Sequence, residues 1–189
     1  MALDLPALHR RALDATRALV AGVGPDQLHL PTPDEDWDVT QLLNHVVSGN
    51  FWAAELAAGK TIDEVGDRLD GDVLGGNVLA AYDESARQAG DVFAEPGAME
   101  RPCAVSYGPV PGEVYCGHRF IDVLIHGWDL AVGTSQTTVL DLELVDACLE
   151  VVLPQAEMLA GSGAFGSNHE IAPDANPQTR LLAILGRQG

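Results

Sequence analysis

The sequence predicts an all-α fold, a bundle of four main helices joined by long connections, with short additional helices toward the C-terminus. Three observations predict it. Apolar residues recur at helical spacing over four long stretches. Segments rich in Gly, Pro and Asp separate those stretches. The chain has 189 residues, 47% hydrophobic and 20% charged, a balance that suits one globular domain, residues 1–189, with its own core. No internal repeat, low-complexity tract or composition break divides it.

The first helix is expected from Leu5 to about Ala21. Asp4 is its cap, Pro6 fits the first turn, and Leu8, Ala12, Ala15 and Leu19 follow helical spacing. "GVGPDQLHLPTPDEDWD" must be a loop. The second helix begins after Asp38, where "DVTQ" places an acceptor at the cap and Gln41 three residues on, a variant of the capping box. It ends at about Ala58, before Gly59. The connection 59–76 is long for neighbouring helices. The third helix covers 77–94, with Gly90 a weak point. In the next connector "CAVSY" can pair as a short strand. The fourth helix runs from about Glu113 to Val132 and stops at Gly133. The fifth runs from Asp141 to about Ala160 with a kink at Pro154. "GSGAFGSNHEIAPDANP" is irregular, and "QTRLLAILG" closes the chain as a short helix.

The formal net charge of −18 argues against nucleic acid, whose phosphates need Lys and Arg, and against anionic membranes. Its plain role is solubility. No long apolar run could span a membrane, and the N-terminus lacks the order of a signal peptide. Three scattered cysteines, Cys103, Cys116 and Cys148, do not make a disulfide framework. The expectation is a cytoplasmic protein with reduced thiols. A homodimer is compatible with a small helical bundle.

The chemistry concentrates in "HRFIDVLIHGWDLA", residues 118–131. On a helical wheel of about 100° per residue, His118, Asp122, His126 and Asp129 share a sector of about 80°. Phe120, Ile121, Leu124, Trp128 and Ala131 lie opposite. The bland interpretation is a core face and a wet face. The polar face, however, carries His and Asp where Lys and Glu are usual, and Asp122 and His126 are neighbours at i, i+4. A metal would need a third ligand from elsewhere.

The second helix offers one. From Val39 to Ala54 it has no Asp, Glu, Lys or Arg, so it should be buried on most sides, and His45 sits within it. Ser48 and Gly49 leave space beside His45, and Trp52 would wall that space as part of a binding pocket. His45, Asp122 and His126 suit Zn²⁺ with an open position, and also Fe²⁺, Ni²⁺ or Mn²⁺. His118 is an alternative third ligand. Asp129 either orients His126 or moves protons; an exposed helix position is the competing interpretation. Arg119 either faces an anionic substrate or offsets nearby acids. Cys116 reads as a buried structural residue.

"DWDVTQLLNHVVSGNFWAAELAAG", "RFIDVLIHGWDLAVGT" and the ending "TRLLAILGR" resemble the DinB-like helical bundles. Within them they resemble the mycothiol-dependent maleylpyruvate isomerase N-terminal group and its short, single-domain, metal-binding branch. The resemblance implies a four-helix bundle with a long crossover and a divalent metal held by a His on the second helix and an acid-x-x-x-His pair on a later one. By position these are His45, Asp122 and His126. The isomerase pattern has Glu where this chain has Asp122, and the isomerases carry a further C-terminal domain. The expected function is a metal-dependent thiol transferase or isomerase, with a mycothiol-like thiol as co-substrate, His118 or Asp129 managing protons, Arg119 facing an anion, and small-molecule partners. A hydrolase using metal-bound water and a non-enzymatic metal-binding protein are the alternatives.

Overall fold

Asp4 opens the first helix, α1 (Leu5–Ala21), by accepting from the Ala7 amide at 3.2 Å. In this computed structural model residues 2–34, 36–156 and 174–188 are described. Asp38 and Gln41 form the reciprocal capping box at the start of α2 (Val39–Ala57), each side chain accepting from the other's amide at 2.9 Å. Before it, a 3₁₀ turn at Pro25–Gln27 and an isolated bridge between Pro31 and Asp38 shape the loop. The amides of Val39 and Thr40 donate to Leu30 and Leu28, so that loop is laid along the entry to α2.

The connection after α2, expected to be loop throughout, holds a single turn of helix, α3 (Ile62–Val65). Its capping box, Thr61 with Glu64, stands openly in "TIDE". The third long helix, α4 (Val78–Phe93), is capped by Asn77, whose side chain accepts from Ala80 N. The connector beyond it forms a two-stranded antiparallel hairpin, β1 (Pro102–Val105) and β2 (Gly108–Pro111). The strand expected around Cys103 therefore has a partner, and it starts one residue earlier and stops before Ser106.

The fourth long helix, α5 (Gly112–Gly133), starts on a glycine for a steric reason. A Cβ at Gly112 would lie 1.9 Å from the Ala98 carbonyl oxygen. Its first amides, of Gly112 and Glu113, are satisfied by the carbonyls of Arg101 and Met99 in place of a side-chain cap. Along α5, Gly127 lets α1 approach closely: a Cβ there would meet Thr16 Oγ1 at 2.5 Å.

Two compact units follow from this order, residues 1–137 and 138–189. In the first, α1 packs against α4 and α5, and α2 packs against the same two helices. Consecutive helices α1 and α2 thus stand at opposite corners, as do α4 and α5, which is why their connections are long. The bundle core includes Leu42, Leu43, Val46 and Val47 from α2 with Tyr82 and Leu130. Tyr82 is fully buried, and its hydroxyl donates to the Leu13 carbonyl at 2.9 Å. In the second unit, α6 (Leu142–Val152) is capped by Asp141 and runs into a 3₁₀ turn, Leu153–Gln155, at Pro154. The last helix, α7 (Pro177–Ile184), is capped by Asn176 and packs on α6. The expected extension to Ala160 and the irregular stretch up to 173 lie outside the described residues.

Candidate metal centre

His45 projects from the middle of α2 toward Asp122 and His126, one turn apart on α5. His45 Nε2 lies 3.4 Å from Asp122 Oδ1, and His126 Nε2 lies 3.6 Å from the same oxygen. One ligand atom from each of the three falls within 4.8 Å of the others. Side-chain exposure falls inward, from 35% at His45 through 18% at Asp122 to 4% at His126. Behind them Asp129 is fully buried, with Oδ2 3.0 Å from His126 Nδ1. That pairing assigns the Nδ1 proton to the Asp129 contact and turns the Nε2 lone pair toward Asp122.

Asp122 is held from its other side by Arg119, whose Nη1 lies 2.9 Å from Oδ2. Arg119 is itself buried, and its Nη2 donates to Asn50 Oδ1 at 3.3 Å. Gly49 makes this possible, since a Cβ there would sit 2.6 Å from the guanidinium. Burial pushes the Asp122 carboxyl pKa upward, but Arg119 first, then His126 and His45, outweigh it and hold the group well below the usual carboxylate range. Asp122 is therefore an anion at neutral pH.

His45, alone of the three, lines a cavity of about 690 Å³. Trp37, Trp52, His45 and Asn44 contribute to its walls, with Leu69–Asp72 closing one side. The Trp37 ring lies 4.5 Å from the His45 ring, tilted by 31°, and 5.6 Å from His126. Residues 69–73 are tied to α2: Asn44 donates to the Gly71 carbonyl and accepts from Val73 N, and Ser48 donates to the Leu69 carbonyl.

The structure thus brings together His45, Asp122, His126, Asp129 and Arg119, and places Trp52 in the cavity wall. Arg119 is not among the residues lining the cavity; its charge faces Asp122. His118 lies outside the three-residue cluster, with Nδ1 2.6 Å from the Tyr107 hydroxyl on the hairpin. The wet face that competed for residues 118–131 does not form at His126 or Asp129, both of which are buried. Trp37, Asn50 and the 69–72 wall went unnoticed in the sequence. Trp37 could have been flagged as an aromatic inside the acidic "DEDWD", and Asn50 as a polar residue on the uncharged helix. Nothing local marks the wall, because it is made by a loop folding back.

The fold is that of a DinB-like helical bundle, here with two histidines and an aspartate converging from two of its helices. Residues 9–131 match the family described as "Mycothiol maleylpyruvate isomerase N-terminal domain", and the chain belongs to that family. It is 39% identical over 184 residues to "Uncharacterized protein Rv0738" of Mycobacterium tuberculosis (strain ATCC 25618 / H37Rv), covering 95% of each chain. The same figures hold for "Uncharacterized protein MT0763" of Mycobacterium tuberculosis (strain CDC 1551 / Oshkosh). Among solved structures it resembles a histidine-to-alanine mutant of the mycothiol-dependent maleylpyruvate isomerase. The TM-score is 0.60 at 15% identity, covering 83% of this chain and 68% of that one. The chain is thus a mycothiol maleylpyruvate isomerase-like protein in family and fold. No helix among the described residues is long and apolar enough to cross a membrane.

Proposed function

We propose that the chain is a divalent-metal-dependent enzyme that uses a low-molecular-weight thiol, mycothiol or a close analogue, to transfer sulfur to or isomerise a small electrophile. The observation that carries this reading is the convergence of His45, Asp122 and His126 beside an open cavity of about 690 Å³. The donor set fits a divalent ion. With its Nδ1 proton given to Asp129, His126 presents a lone pair to an anionic oxygen 3.6 Å away. Two acceptors facing each other call for a cation or a proton between them. Two imidazoles and one carboxylate suit Zn²⁺ with an open position, and also Ni²⁺, Fe²⁺ or Mn²⁺.

A divalent ion held by His45, Asp122 and His126 would lower the pKa of a thiol and favour its thiolate near neutral pH. The chain supplies the rest. Asp129 fixes the tautomer of His126, and Arg119 holds Asp122 ionised and oriented. Trp37 and Trp52 wall the space in which a thiol and an electrophile would meet.

Two measurements test this. Metal analysis of the purified protein should find about one divalent ion per chain, lost in both His45→Ala and His126→Ala. The metal-loaded protein should consume electrophiles from a varied panel only when mycothiol or a substitute thiol is added, and chelation should stop it. Unchanged metal content in both variants sinks the centre. Metal-dependent, thiol-independent hydrolysis would instead assign the reaction to metal-bound water.

A further inference from the structure

The cavity beside His45 has an unusual charge for a site that handles small electrophiles. Among the described residues, the ionisable ones in its lining besides His45 are Asp70 and Asp72, with no Lys or Arg. The cations nearest in sequence are engaged elsewhere. Lys60 and Arg68 both pair with Glu55, and the Arg68 Nε also donates to the Val65 carbonyl. Arg119, the buried cation behind the site, is paired with Asp122.

The acidic wall is also built in place. The hydrogen bonds from Asn44 and Ser48 fasten residues 69–73 to α2, and Asp72 Oδ1 accepts from the amides of Leu74 and Gly75. Two half-buried indoles, Trp37 and Trp52, line the same cavity. Carboxylates and indole faces in one pocket both attract a cation and both disfavour a carboxylate. A divalent ion with Asp122, Asp129, Arg119 and a bound thiolate would leave no net charge, so the two wall carboxylates would set the sign of the pocket.

We infer that the cavity takes a small molecule bearing an ammonium-type cation, and discriminates against carboxylate-bearing electrophiles. This rests on the metal–thiol reading for the reaction the ligand enters, while the charge preference belongs to the wall itself.

The test uses matched thiols that place either charge in the cavity. Co²⁺-loaded protein is titrated with cysteamine, 2-mercaptoethanol and mercaptoacetate, following the thiolate-to-cobalt absorption band. The same titration is run on the double variant Asp70→Asn/Asp72→Asn. Asparagine keeps a carbonyl acceptor for the Leu74 and Gly75 amides. Each thiol's intrinsic basicity cancels between the two proteins. The expected result is a preference for cysteamine over mercaptoacetate that is several-fold larger in wild type than in the double variant, with 2-mercaptoethanol between them. An equal preference in both proteins, or mercaptoacetate weakened by the substitutions, overturns the inference.

If no thiol binds, the thiol reading fails and the charge assignment is decided on metal-free protein by quenching of tryptophan fluorescence. Trp128 is buried, so the response reports Trp37 and Trp52. Caesium quenching better relative to iodide in wild type than in the double variant upholds the acidic wall. An unchanged ratio overturns it.

Discussion

His126 says most about the centre because both of its nitrogens are spoken for. Nδ1 lies 3.0 Å from a carboxylate that is fully buried, and Nε2 faces Asp122. A buried Asp–His pair set behind a ligand position fixes the ring's orientation and raises its basicity. Asp129→Asn preserves shape while weakening the acceptor. The variant should stay folded by circular dichroism and lose about 10-fold or more in Zn²⁺ affinity by competition with a chromophoric chelator. Retention of wild-type affinity would reduce Asp129 to a packing residue. Much of this was legible in sequence at this scale. The i, i+4 spacing of Asp122 and His126 put them on one face, and the charge-free stretch around His45 marked a buried helix. Whether Asp129 met water or protein could not be read, because a helical wheel orders residues on one helix and is silent about what lies opposite. The partnership of Arg119 with Gly49 and Asn50 was hidden for the same reason: it joins two helices distant in sequence.

At the scale of elements, α5 positions two of the three proposed ligands together with Asp129 and Arg119, so its start point matters to the site. Gly112 sits against the connector with the Ala98 carbonyl oxygen 1.9 Å from where a Cβ would be. That oxygen is backbone and cannot swing aside as a side chain could. Gly112→Ala should therefore destabilise the first unit by about 1–3 kcal/mol, read from the urea midpoint, through forced backbone movement. An unchanged midpoint would mean that the connector yields freely. The helices themselves were legible because periodicity and caps agree, at Asp4 and at Asp38 with Gln41. The hairpin was half legible. Its first strand has β-compatible residues, whereas its second, "GPVP", carries two prolines and is paired by the connector's path more than by propensity. At the end of α6 the expected break at Pro154 takes the form of a 3₁₀ turn, Leu153–Gln155.

At the scale of the whole molecule, a net charge of −18 and a buried histidine pull stability in opposite directions as pH falls. Protonating surface groups relieves self-repulsion toward the pI of about 4.3. His9 does the reverse. It is fully buried on α1, neither ring nitrogen has a hydrogen-bond partner among the described residues, and its ring packs T-shaped with that of Phe93, centroids 5.3 Å apart. Burial, then the positive charges of Arg119 and Arg10, lower its pKa from 6.5 to about 3. A base whose folded pKa is depressed contributes stability that is fully present above its unfolded pKa and lost as pH falls toward the folded value. The window is thus pH 6.5 down to 3. Between pH 7 and 5 most carboxylates are still ionised, so relief of repulsion is small while His9 removes about 2 kcal/mol. Wild type should lose stability across that interval in urea titrations. His9→Leu should flatten the slope and, by deleting two unpartnered buried nitrogens, match or exceed wild-type stability at pH 7. If the variant keeps the wild-type slope, the acid sensitivity belongs to another group and His9 has a proton partner in solution.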